Sequence, residues 1–107
     1  IVYQGEELGL TQVEIPFEQL QDPEAIANWP LTLARDGART PLPWQAQSEQ
    51  GGFTASSTPW LPLGEENMAR AIDRQEADPD SLLNLTRQLI ALRKAHPALR
   101  IGGCEVV

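Results

Sequence analysis

From Gly5 to Asp78 the chain shows almost no hydrophobic periodicity, and this bounds the fold more tightly than anything else in the sequence. Residues 40–64 hold four of the nine prolines and a single charged residue, Glu49. A connection of that length is uncommon inside a compact domain unless it is a functional loop. Within it, Asp22-Pro23 through Trp29 predicts a short helix closed by Pro30, and residues 50–54 read as a turn. The one strong periodic element comes afterwards. Leu82, Leu85, Leu89 and Leu92 recur at spacings of three, four and three, flanked by Leu83 and Ile90, which predicts an amphipathic helix over residues 81–96. Asp78-Pro79-Asp80 is expected to cap it, Arg93, Lys94 and His96 complement its C-terminal dipole, and Pro97 ends it. Its apolar stripe requires a sheet or other helices as cover.

Both ends are β-prone: Ile1-Val2-Tyr3-Gln4, cut short by Gly5, and Cys104-Glu105-Val106-Val107. A lone strand cannot satisfy its own ladder hydrogen bonds, so both termini are expected to be pieces of larger sheets. The resulting plan is an α/β unit: a strand, a very long loop, an amphipathic helix and the first strand of something else. In parallel α/β folds, ligand sites are built where such loops leave the C-terminal ends of strands.

Charge and composition remove several function classes. The formal net charge of −7 repels phosphate backbones and anionic lipid, so neither nucleic acid nor a membrane surface is an expected partner. No apolar run approaches the roughly 20 residues of a bilayer span. Cys104 is the only cysteine and His96 the only histidine, which excludes an internal disulfide framework and Cys- or His-based metal clusters. Asp73, Asp78 and Asp80 lack the spacing of a calcium loop, and no metal-ligand set is visible. No glycine-rich phosphate loop or other cofactor motif is present, and no cofactor is expected. Cys104 reads as a small buried apolar residue.

The most distinctive segment is Ala34-Arg35-Asp36-Gly37-Ala38-Arg39-Thr40-Pro41-Leu42-Pro43-Trp44. Asp36-Gly37 signals a turn, and the two prolines that follow force extended backbone, so Arg39 projects from a stiff support. A guanidinium with five donors in a fixed plane suits carboxylates, phosphates or vicinal sugar hydroxyls. From the residues alone two roles stay open: a ligand contact, or a pair with Asp36 that merely holds the loop. Glu6 and Glu7, beside Gly5, either face a ligand or are solvated or salt-bridged acids. Trp29, Trp44 and Trp60 sit by prolines and read as packing anchors. No complete active site is legible, and no residue is assigned a catalytic role.

Ile1-Val2-Tyr3-Gln4-Gly5-Glu6-Glu7-Leu8-Gly9-Leu10 closely resembles the last barrel strand of α-glucosidases in the α-amylase superfamily, glycoside hydrolase family thirteen. The Arg35–Trp44 segment resembles that family's long loop after the same strand. Trp60-Leu61-Pro62-Leu63 and Ala77–Leu83 with Ile90–Lys94 resemble its next landmark and its final helix, and Pro97–Arg100 its lead into a C-terminal β-domain. Leu42 departs from the pattern, standing where methionine is common.

The resemblance implies a fragment of a (β/α)₈ TIM barrel, residues 1–97, running into an antiparallel β-domain that starts at 98–107. It implies a parent enzyme that releases terminal α-linked glucose with retention, using two carboxyl groups about 5 Å apart. In the family those carboxylates lie on earlier strands, before Ile1, so the isolated chain is expected to be inactive and to need the rest of the barrel. The implied substrate is an α-glucoside or oligosaccharide. Residue by residue, Arg39 matches the arginine on the floor of the glucose pocket. Tyr3, Glu6 and Glu7 match the pocket-facing strand end, and Asp36 the support of the arginine loop. Two alternatives remain: a family transglycosylase or sucrose- or maltose-isomerising enzyme, and a self-contained acidic interaction module.

Overall fold

The computed structural model describes residues 1–31 and 35–106. Ala34 and Val107, which open the arginine motif and end the last β-prone run, lie outside the described residues. Five α-helices occur among the described residues: α1 (Pro23–Asn28), α2 (Glu65–Met68), α3 (Ile72–Ala77), α4 (Leu82–Ala95) and α5 (Ala98–Ile101). Single 3-10 turns span Glu6–Leu8, Phe17–Gln19, Asp36–Ala38 and Glu49–Gly52.

This corrects the expected α/β architecture, because no strand or sheet is present among the described residues. The physical reason is local. Among the described residues, the backbones of Ile1–Gln4 and Gly103–Val106 pair with no extended segment, so no ladder forms. The first β-prone run turns at Gly5, whose φ of 101° is open to glycine, into the Glu6–Leu8 turn. Beyond Pro97 the chain makes the helical turn α5 rather than a strand.

The helix signals fared better. α1 starts with Pro23 in its first turn and Asp22 as its N-cap, the Asp22 carboxylate accepting from the Glu24 amide at 3.3 Å. α4 occupies the expected span, but its cap is Ser81 rather than the Asp78-Pro79-Asp80 segment: Ser81 Oγ accepts from the Asn84 amide at 3.2 Å. Asp78 instead ends α3 and accepts from the Asp80 amide. Gln75 fastens this corner. Its Nε2 donates to the carbonyls of Leu8 and Arg70, both at 2.9 Å, and its Oε1 accepts from the Leu83 amide at 3.1 Å. The first turn, α3 and the start of α4 are thereby tied at one side chain.

The core is small and lies away from α4. Ile15, Leu20, Ala25 and Leu61 form it, with Val13 packed against them. On α4 only Leu83 is buried, whereas Leu82, Leu85, Leu89, Ile90 and Leu92 are 42–55% exposed. The stripe therefore lacks cover within the described residues. The radius of gyration is 17.6 Å, against about 13 Å for a compact domain of this length. Trp29, Trp44 and Trp60 are exposed rather than buried anchors, although the Trp29 ring leans on Phe17 at 5.8 Å. Cys104 is exposed as well.

Candidate functional site

The arginine motif forms a rigid turn because its polar groups are closed over in several directions. Ala38 N donates to Arg35 O at 3.1 Å and Arg39 N to Asp36 O at 2.9 Å, which defines the 3-10 turn that presents Arg39. Val13 N donates to Gly37 O at 3.0 Å, and a Cβ on Gly37 would collide with the Val13 carbonyl. A Cβ on Gly64 would likewise meet the Val13 side chain, so Val13 runs between two glycines. Downstream, Pro43 O and Trp44 O accept from the first two amides of α3, Ile72 N at 2.9 Å and Asp73 N at 3.1 Å. Those carbonyls satisfy donors that a helix start leaves open and anchor the far side of the loop.

Asp36 is fully buried. Its Oδ2 accepts from the backbone amides of Gln21 and Asp22, each at 2.7 Å. Among the described residues its Oδ1 has no hydrogen-bond partner, and Arg39 Nη1 stands 3.6 Å away. That separation is an ion pair without a formed hydrogen bond. The Arg39 side chain is 36% exposed, so its guanidinium has one side on the buried carboxylate and another toward open space.

Asp22 is the second fully buried carboxylate, and sequence reasoning gave it no more than a place at a helix start. Its Oδ2 accepts from Arg35 Nε at 2.7 Å and from Arg35 N at 3.2 Å, while Oδ1 accepts from Arg35 Nη2 at 2.6 Å. This is a bidentate fork with a backbone bond added. The Arg35 hydrogen bond holds the Asp22 carboxyl far below the usual carboxylate range, outweighing the opposing effect of desolvation. The guanidinium of Arg35 is raised by the same bond. The two segments are therefore pinned reciprocally: Asp36 holds the amides at 21–22, and Asp22 holds the backbone and side chain of residue 35.

Tyr3 and Glu6 meet the arginine turn at a shallow cavity of about 100 Å³, lined also by Thr11, Gly37, Ala38 and Thr40. Small-molecule pockets usually enclose roughly 300–1,000 Å³, so this is a wall rather than a whole site. The acids beside it are turned inward on their own backbone. A Glu6 carboxylate oxygen accepts from Tyr3 N at 3.0 Å, and one of Glu7 from Gly5 N at 2.8 Å. Glu7 does not line the cavity. Asn67 was also missed by sequence reasoning. Buried, it imitates a strand partner for Thr11, accepting from Thr11 N at 3.0 Å and donating to Thr11 O at 2.9 Å. A lone asparagine in a polar stretch gives no signal of that role. Among the described residues, no group of three His, Cys, Asp or Glu side chains is arranged to hold a metal ion.

Comparison with known proteins agrees with the landmarks in the sequence. Over 106 residues the chain is 48% identical to a probable alpha-glucosidase of Rhizobium meliloti, covering 99% of this chain and 19% of that protein. It is 32% identical to probable oligo-1,6-glucosidase 2 of Bacillus subtilis, covering 99% of this chain and 22% of that one. The chain thus spans about one-fifth of the length of these curated relatives. Its backbone superposes on the crystal structure of an alpha-glucosyl transfer enzyme, XgtA, with a TM-score of 0.85 and 49% identity, over 92% of this chain and 18% of that one. The pattern of the alpha-amylase catalytic domain matches residues 1–102. With that match and these relatives, the chain belongs to the alpha-amylase catalytic-domain family.

Proposed function

We propose that the protein carrying this chain is an α-glucosidase that releases terminal α-linked glucose from oligosaccharides with retention. The observation that carries this is the setting of Arg39. Its guanidinium, 36% exposed, is held on a turn that cannot easily shift and stands beside the buried carboxylate of Asp36. Fixed donors of this kind read sugar hydroxyls, and an ill-fitting ligand leaves them unpaired. In this reading Arg39 donates to hydroxyls of the terminal glucose and Asp36 supports it. Tyr3, Glu6 and Glu7 belong to the same rim; Tyr3 and Glu6 line the small cavity beside the turn that presents Arg39, whose lining includes neither Arg39 nor Asp36. Residues 1–97 close the catalytic domain and residues 98–107 lead out of it. The nucleophile and the acid/base carboxylates are supplied from outside these residues.

The test is hydrolysis of p-nitrophenyl α-glucoside by the full-length protein. Arg39→Ala is expected to lower kcat/KM about 10- to 100-fold, the worth of one or two charged hydrogen bonds, with little change in melting temperature. Unchanged kinetics with a lowered melting temperature would make the arginine purely structural.

Glucosyl transfer is a second reading, favoured by the likeness to XgtA. Adding an acceptor sugar separates the two. Hydrolysis keeps released glucose equal to released nitrophenol, and transfer makes glucose fall below it.

A further inference from the structure

We propose that Asp22 is a positioning residue for Arg39, acting through a reciprocal brace with Asp36. The inference rests on the reading of Arg39 as a sugar-binding arginine and adds to it a residue outside the motif. Capping α1 does not explain Asp22. A cap needs one acceptor, and the Glu24 amide takes it at 3.3 Å, the longest of the Asp22 bonds. A serine or asparagine would serve as well there. The three shorter bonds, at 2.6, 2.7 and 3.2 Å, all go to Arg35, the residue on which the 3-10 turn begins. Burying a full carboxylate is costly unless it is paired, so the charge on Asp22 points to its partner.

The coupling then runs through one peptide. The Asp22 carboxylate fixes residue 35, while the Asp22 amide, with that of Gln21, fixes Asp36 Oδ2 at 2.7 Å. With Oδ2 committed to two amides, Oδ1 is left buried, without a hydrogen bond among the described residues, and facing Arg39 Nη1. The carboxylate cannot rotate toward Arg39 to complete a short pair without giving up those amides. The guanidinium is therefore attracted and oriented but not consumed, and its remaining donors stay available. Freeing Arg35 from Asp22 loosens the peptide between residues 21 and 22, lets Asp36 turn, and lets Arg39 collapse onto it.

The experiment is a double-mutant cycle in the full-length protein, reading the inhibition constant for glucose together with KM and kcat. Asp22→Asn puts an amide N–H against the Arg35 donors and breaks the fork. It is expected to raise the glucose inhibition constant about tenfold while kcat changes less, and to have no further effect in an Arg39→Ala background. Arg35→Met is the companion variant. Removing the guanidinium leaves the buried Asp22 carboxylate without its fork, so the melting temperature falls as well, and the same rise in the glucose inhibition constant is expected. An equal rise in both backgrounds, or no rise with either variant, overturns the brace. If Arg39→Ala alone leaves the inhibition constant unchanged, the sugar-binding reading fails instead.

Discussion

α4 and the arginine loop are opposite solutions to being ordered. The helix satisfies its backbone locally, with a capping serine and complementary charges in its last turn, yet leaves Leu89 and its neighbours about half exposed. The loop holds only the short α1 and one 3-10 turn, yet it buries two carboxylates completely and closes hydrogen bonds between residues 21–22 and 35–36. Regular secondary structure and a finished environment are thus separate achievements. Here the irregular region is the self-sufficient one, and the regular region is the one still waiting for cover.

The sharpest way to break this contrast is a melt of the 107-residue chain. A stripe left exposed gives up much of the roughly 1.5–3 kcal/mol that burial of each large apolar side chain supplies. We expect a broad, weakly cooperative loss of helical circular dichroism; a single sharp calorimetric transition would show that the chain stands on its own loop core. The next effect is on the loop. Asp36→Ala in the full-length protein removes the acceptor of two buried amides, and about 3 kcal/mol of stability should be lost by urea unfolding. A loss near zero would mean that water replaces the carboxylate and that the loop is not closed. The smallest effect is acid sensitivity. Because the Asp22 carboxyl is depressed in the fold, its contribution is fully present above the unfolded value of about 3.9 and fades as pH falls below it. Arg35 is largely exposed, so solvent screens the pair and the effect is modest. The stability gap between the natural protein and Asp22→Asn should therefore narrow from about pH 4 to pH 2, read from urea midpoints. A gap independent of pH would leave the charge without a role.

How much could be read in advance follows the same division. α1, α4 and the turn at residues 50–54 were legible because caps, spacing and glycines act within a few residues of where they are written. The cap of α4 was misplaced because Asp78, Asp80 and Ser81 are all good caps and only packing chooses among them. Both termini are β-prone yet form no strand among the described residues, since composition says nothing about whether a partner backbone is at hand. Arg39 and Asp36 stood out by their proline-stiffened motif. Asp22, Asn67 and Gln75 did not, because each works on residues far along the chain, and no local rule pairs an acid with an arginine thirteen positions away. The family landmarks carried the functional expectation where spacing could not.

The passage of Val13 between Gly37 and Gly64 has a practical consequence for anyone diversifying this part of the chain. Three stretches of chain share a seam with no clearance, so diversifying any one of them alone will mostly yield misfolded variants. Libraries should exchange residues 11–15, 36–39 and 64–67 as a matched set, holding both glycines constant.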